Sequence, residues 1–141
     1  MTKIFIASDH AGYRLKELIK IYLHNKKIIY SDLGPFNNLK CDYPEYAHKV
    51  AKKVKTNKIF RGILVCGSGT GMSITANKHK NIRAAQCYSV KSTKLSRLHN
   101  DANIITLGSR FLSKKNAIKL ISIFLSTNFE GGRHKKRIKK V

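Results

Sequence analysis

Acidic residues are scarce in this sequence. Among 141 residues there are seven: Asp9, Glu17, Asp32, Asp42, Glu45, Asp101 and Glu130. Against them stand 29 Lys and Arg, for a formal net charge of +22. A composition that has drifted so far toward lysine has kept these few carboxylates, and several fall inside the motifs below. Long hydrophobic runs are also missing. No apolar stretch approaches the roughly 18 residues of a membrane span. The short run from Ile4 to Ala7 meets Asp9 and His10 before it reaches the length of a signal-peptide core. The expected location is therefore the cytoplasm, with no membrane partner. Cysteine is sparse: Cys41, Cys66 and Cys87 are odd in number and lack C-x-x-C spacing. That argues against a disulfide framework and against a zinc ribbon, and in a reducing compartment all three are expected as free thiols. Linkers, low-complexity segments and internal repeats are absent too, so residues 1–141 read as a single domain. A chain of this length buries about 68–70% of its unfolded surface and needs no covalent staples.

The charge excess taken alone suggests a polyanion partner such as nucleic acid. Its distribution weakens that reading. Residues 1–70 carry 13 of the basic side chains and residues 71–141 carry 16, and 22 of the 29 are lysine. Lys, Ile and Asn share A/T-rich codons, so base composition accounts for much of the excess. Nucleic-acid binding is expected to be nonspecific at most. The one dense cluster is the tail from His134 to Lys140.

The hydrophobic period alternates between strand and helix along the whole chain. Strands are expected at residues 3–7, 28–33, 62–65, 83–87 and 104–107. Helical spacing joins Leu15, Leu18, Ile19, Tyr22 and Leu23, then Tyr46, Ala47, Val50, Ala51 and Val54. Further helices fall near residues 72–78 and 90–98. Another carries Ala117, Leu120, Ile121, Phe124 and Leu125, with Ser113 as its N-cap. Asp42 and Glu45 have the spacing of a capping box, with Pro44 in the first turn. A basic C-terminal helix is expected from about residue 129. Five βα units imply an α/β fold with a five-stranded parallel sheet and helices on both faces. Ligands of such sheets bind at the strands' carboxyl ends, where the strand order reverses.

Four segments carry chemistry. In Ile63-Leu64-Val65-Cys66-Gly67-Ser68-Gly69-Thr70-Gly71 an apolar strand delivers a cysteine into three glycines, and a helix follows. Glycine lets the backbone turn tightly and bring N–H groups to an anion. The helix N-terminus favours negative charge, thiolate included. One loop thus offers a base or nucleophile beside an anion hole. The bland alternative makes Cys66 a core filler and the glycines a turn. A dinucleotide site fits less well, because the last glycine is out of place and strand four ends without an acid. In the second segment, Ser8 to Gly12, Asp9 and His10 adjoin a strand's carboxyl end. They are either site residues or a helix cap beside an exposed imidazole. In the third, Ser96 to Asn103, His99 either carries protons or simply faces a helix C-terminus. In the fourth, Arg133 and Arg137 are four apart and so share a helix face suited to a phosphate. The alternative there is a solvated basic tail. Arg110 is a further candidate.

Together these segments resemble the type B ribose-5-phosphate isomerases, and the likeness runs from Ser8 to Arg137. The resemblance implies a Rossmann-like three-layer αβα sandwich that assembles as a homodimer or homotetramer with sites between subunits. It implies an aldose–ketose isomerase of pentose phosphate metabolism that interconverts ribose 5-phosphate and ribulose 5-phosphate without metal or cofactor. Carried over residue by residue, Cys66 falls on the proton-transfer base and His99 on the residue that opens the furanose ring. Gly67, Ser68, Gly69, Thr70 and Gly71 fall on the loop that holds the enediolate. Asp9, His10, Asn100, Arg110, Arg133 and Arg137 fall on sugar- and phosphate-binding positions, with Tyr43 and His134 as neighbours of the site. Ser68 stands where threonine is frequent, and both offer a hydroxyl. Galactose-6-phosphate isomerase shares the fold but splits these motifs between two different subunits. Their presence together here favours the pentose, with a six-carbon sugar phosphate such as allose 6-phosphate as the alternative substrate.

Overall fold

The computed structural model describes residues 2–141. Eleven elements follow one another as β1 (Ile4–Ser8), α1 (Tyr13–Asn25), β2 (Tyr30–Asp32), α2 (Tyr43–Val54), β3 (Arg61–Cys66), α3 (Thr70–Ala76), β4 (Ala84–Gln86), α4 (Val90–Asn100), β5 (Ile104–Gly108), α5 (Lys114–Ser126) and α6 (Arg133–Ile138). All neighbouring strands pair in parallel, in the order β2-β1-β3-β5-β4. The order reverses between β1 and β3, so the crevice of the sheet opens where Ser8 and Cys66 end their strands. No helix among the described residues is long and apolar enough to cross a membrane.

Strand side chains alternate between faces, and the alternation builds two cores. Ile4, Ile6, Ile63, Val65, Ile105 and Leu107 pack with α1 and α5 on one face. Phe5, Ala7, Leu64, Cys66 and Ile104 pack with α2 and α3 on the other. The expected three layers result, with Cys66 on the α2–α3 side.

Several boundaries differ from the sequence expectation. The edge strands β2 and β4 shrink to three residues each, because each has a partner on one side only. α4 runs on to Asn100, which puts His99 and Asn100 in its last turn. The tail segment is helical only from Arg133, after Gly131 and Gly132, both at positive φ. The Asp42–Glu45 capping box does not form. Asp42 is extended at the N-cap but its side chain makes no capping bond, and Pro44 alone marks the start of α2. The reciprocal box is found instead at α4, between Ser89 and Ser92. Ser113 caps α5 as expected, accepting from the Asn116 N–H at 3.2 Å.

One buried charge departs from the binary pattern. Lys16, next to the apolar stripe of α1, is 0% exposed. Its Nζ donates to both Asp32 carboxylate oxygens, at 2.8 and 2.7 Å, and to the Pro35 carbonyl at 2.8 Å. Glu17 and Lys20 extend the pair into a four-residue network. Asp32 also accepts the Gly34 N–H at 2.9 Å. The network thereby ties α1 to β2 and to the loop that leaves the sheet's carboxyl edge.

Candidate active site

The carboxyl edge gathers one group of the candidate residues. Cys66 is 4% exposed, and its Sγ accepts the Gly69 N–H at 3.1 Å. Gly69 reaches this position at φ +81, against the backbone of Leu107 and Gly108, where a side chain would be both strained and crowded. The first-turn N–H groups of α3, which no carbonyl of that helix can satisfy, close the loop. The β5–α5 turn clamps it from the other side: Ser109 and Arg110 donate their N–H groups to the Cys66 and Gly67 carbonyls, at 2.8 and 3.0 Å. The Arg110 guanidinium lies over Gly67, so near that a Cβ there would sit 2.8 Å from Nη1. The Tyr43 ring covers Gly71 in the same way, 2.6 Å from where a Cβ would be.

Asp9 and His10 share this edge. The Asp9 carboxylate accepts the Gly12 N–H at 2.9 Å, just ahead of α1. Its own N–H donates to the Val65 carbonyl at 3.1 Å, which binds the end of β1 to the residue before Cys66. His10 is exposed, its Nδ1 lying 3.1 and 3.3 Å from the Cys41 carbonyl and N–H. Gly12 approaches the Val65 carbonyl so closely that an added Cβ would meet its oxygen at 2.3 Å. We expect Gly12→Ala to push the end of β3 aside, lowering the melting temperature and isomerase turnover together; a thermal melt and a rate assay on one sample check it.

Three residues at this edge had no motif to announce them. Gln86 donates to the Ser68 carbonyl at 3.0 Å and to the Thr70 hydroxyl at 2.7 Å. Tyr88 donates to the same Ser68 carbonyl at 2.9 Å. The Ser109 hydroxyl donates to the Ala11 carbonyl at 2.9 Å. All three follow the ends of β4 or β5, so the rule placing ligands at carboxyl ends could have found them.

The remaining candidates lie on the opposite edge. Cys66 is in register with Gly108, while the Asn103 carbonyl accepts the N–H of Gly62. His99 and Asn100 precede Asn103 in the turn into β5. Five strand residues at ~3.3 Å each put about 16 Å between the two levels. His99, Asn100, His134 and Arg137 line a cavity of about 270 Å³ with Ile138 and Val141. The His99 and His134 rings stack, 4.2 Å between centroids and 15° between planes. Glu130 Oε2 lies 3.8 Å from His99 Nε2 and 3.7 Å from His134 Nε2. Burial, then His99 and Arg133, pull the His134 imidazole below its ordinary range, against the pull of Glu130. Glu130, at the head of the fourth segment, is a further residue to which the sequence reading gave no role. Ligand atoms of His99, Glu130 and His134 all fall within 4.8 Å of one another. The rings are nearly parallel, however, so their lone pairs run side by side and do not converge on one metal ion. Arg133 begins α6, exposed, and is not part of the cavity wall.

A cysteine in a glycine cradle at the switch point of a parallel sheet, with imidazoles and guanidiniums held elsewhere, defines an α/β protein suited to proton transfer on a small anion. The comparisons narrow this. The family model described as Ribose/Galactose Isomerase matches residues 4–141, and the chain belongs to that family, on its ribose-5-phosphate isomerase B branch. A probable ribose-5-phosphate isomerase B of Mycoplasma genitalium is 46% identical over 140 residues, covering 98% of this chain and 92% of that protein. A putative sugar phosphate isomerase of Bacillus subtilis is 44% identical, covering 99% and 94%. Among solved structures, the ribose 5-phosphate isomerase of Thermotoga maritima superposes with a TM-score of 0.95 at 47% identity, covering 98% of this chain and 95% of that one. The Mycoplasma genitalium enzyme, solved with bound ribulose-5-phosphate, gives a TM-score of 0.95 at 46% identity and 99% and 93% coverage.

Proposed function

We propose that this chain interconverts ribose 5-phosphate and ribulose 5-phosphate through an enediolate, with Cys66 as the base that moves the proton between C2 and C1. The observation that carries the assignment is the Gly69 N–H donated to the Cys66 sulfur inside the glycine loop, a bond that strengthens when the sulfur is charged. Family membership supplies the substrate class. In this reading His99 moves the proton that opens the furanose ring. Cys66 takes the proton from C2, charge develops on the C1 oxygen, and the N–H groups of Gly67–Gly71 stabilise it. Each such donor is typically worth ~2.7–4 kcal/mol. Protonated Cys66 then delivers its proton to C1 as the C2 hydroxyl proton passes to the C1 oxygen, leaving the carbonyl at C2. Arg133 and Arg137 hold the phosphate, with Asp9, His10, Asn100 and Arg110 around the sugar. The reaction runs in the cytoplasm, in keeping with three free thiols.

The two edges require a second copy. One chain does not bring its own His99 to its own Cys66, so each site draws the sulfur and loop from one copy and the imidazole and arginines from the other. The rim of the Cys66 edge supports this. Phe36, Leu39, Phe111 and Tyr88 follow the ends of β2, β5 and β4 and are 74%, 69%, 66% and 46% exposed. Apolar surface gathered at a site in this way suits an interface. A homodimer satisfies the arrangement by two-fold symmetry, and a homotetramer is two such pairs.

The test is turnover of ribose 5-phosphate by the purified protein, followed by a mixing experiment. Cys66→Ala and His99→Asn are each expected to be inactive. Unfolded and refolded together they should recover about a quarter of wild-type activity, since half of the pairs are hybrids and each hybrid holds one intact site. No recovery would place both residues in one chain's site. Separately, Arg133→Ala should raise KM for the sugar phosphate with little change in melting temperature. An unchanged KM and kcat would remove Arg133 from the phosphate grip.

A further inference from the structure

A further cavity among the described residues holds neither Cys66 nor His99. It lies beside the amino ends of β3 and β4, with a volume of about 520 Å³, within the range of small-molecule sites. Six cations line it: Lys55, Lys58, Arg61, Arg83, Lys135 and Lys139. Asp101 is its one carboxylate, and Asp101 is already committed to Arg83 at 3.1 Å and to Arg97 at 2.8 Å.

Arg61 is half-buried like Arg83, but unlike Arg83 it is not paired with Asp101. One nitrogen, Nη1, donates to the Lys58 and Phe60 carbonyls at 2.8 and 2.9 Å. Among the described residues no ion pair reaches its guanidinium. Burial, then Arg97 and, after the opposing Asp101, Arg83 hold it below its ordinary range. Guanidiniums assembled around a spent carboxylate repel one another until an anion joins them. Arginines also stand apart from the lysine drift of the composition, since only seven occur in the chain, and two of them line this cavity.

α6 separates this cavity from the phosphate grip. Lys135 and Lys139 are four apart and share a face. Arg133 and Arg137 are each two residues away, which is about 200° around the helix. One short helix thus offers cations on both sides. The apolar wall of Val54, Phe129 and Ile138 gives an aromatic base something to pack against.

We propose that this cavity binds a polyphosphate chain, of the kind carried by nucleoside di- and triphosphates, on Arg61, Arg83, Lys135 and Lys139. The site holds neither Cys66 nor His99, shares only Ile138 with the His99 cavity, and binds whether or not the isomerase reading holds. Calorimetric titration of the whole protein at physiological salt, with ATP and with inorganic tripolyphosphate as separate probes, tests it. Binding of both with similar affinity identifies the phosphate chain as the ligand; tighter binding of ATP adds the base. Either result supports the site only if Arg61→Gln weakens it by about tenfold, the worth of a charged hydrogen bond, while Arg137→Gln leaves it unchanged. Lys139→Gln, at an exposed position, repeats the test should Arg61→Gln fold poorly. Absence of binding by both probes overturns the proposal, as does equal binding by wild type and both cavity variants. Loss in Arg137→Gln alone places the anion in the catalytic grip. A single-stranded oligonucleotide that displaces both probes, with a steeper salt dependence than either, would replace the small ligand by a nucleic acid.

Discussion

Replacing Cys66 by alanine is expected to lower kcat by about 10²–10⁴-fold, the range that a positioned acid–base group contributes, with KM for ribose 5-phosphate nearly unchanged. The effect is local. The side chain stands at the end of β3 with 4% of its surface exposed, and its sulfur is the acceptor for the Gly69 N–H. Alanine removes the thiol proposed to take the proton, while the loop stays clamped by Ser109 and Arg110. Binding energy from the rest of the site is then the same in ground and transition states, so the loss falls on kcat. Steady-state kinetics at several substrate concentrations separates the two constants. Cys66→Ser is the companion variant: it retains an acceptor for the Gly69 N–H but is a poorer base, so it should refold the loop without restoring the rate. Wild-type turnover by either variant would withdraw Cys66 as the base.

The second large effect concerns stability. Asp32→Ala is expected to destabilise the chain by about 3–5 kcal/mol, the usual result of removing one partner from a buried pair. At this chain length that amounts to a fall in melting temperature on the order of 10–15 °C. The cause is what remains. Lys16, 0% exposed, would keep only Glu17 at 3.1 Å and the Pro35 carbonyl at 2.8 Å. The paired variant Lys16→Met with Asp32→Leu should recover much of the loss, because an apolar pair of similar volume leaves no charge stranded. The network also predicts a pH dependence. Burial acts to raise the Asp32 carboxyl. The hydrogen bonds from Lys16, Lys20 and the Gly34 N–H outweigh it and hold the group below its ordinary 3.8. Glu17 is lowered for the same reasons, its bonds from Lys20 and Lys16 exceeding the effect of burial. A carboxyl depressed in the folded state stabilises fully above its unfolded value, and that stabilisation is lost as pH falls through the folded one. The melting temperature of the wild type should therefore drop below pH about 4, and more steeply than that of Asp32→Ala.

The fold was legible where the chain repeats one physical pattern. The alternation of period-2 and period-3.6 segments located every strand and helix, and the glycine loop announced itself because a fully apolar strand ran straight into it. Ends were less legible. Asp42 and Glu45 had the spacing of a capping box, yet spacing does not orient a side chain, and Pro44 already fixed the turn. Lys16 was hidden for a different reason. Next to Leu15 and three before Ile19 on an amphipathic helix, a lysine reads as the solvent margin, and what buries it is Asp32, sixteen residues away on another element. His99 and Cys66 each stood out, but no motif measures the distance between them. That distance follows from topology: in a parallel sheet every strand ends at one edge, and every helix carries the chain back to the other. Glu130 had the weakest signal, a single carboxylate in a basic tail, and gains meaning only when α4 and α6 set two imidazoles beside it.

The opposed edges have a consequence for how the protein responds to its own abundance. Where sulfur and imidazole come from different copies, a dilute chain is an idle one. Specific activity then rises with protein concentration until pairing is complete, and a cell making little of the chain has disproportionately little flux through it. With sites shared in that way, expression level would act as a threshold control without an effector.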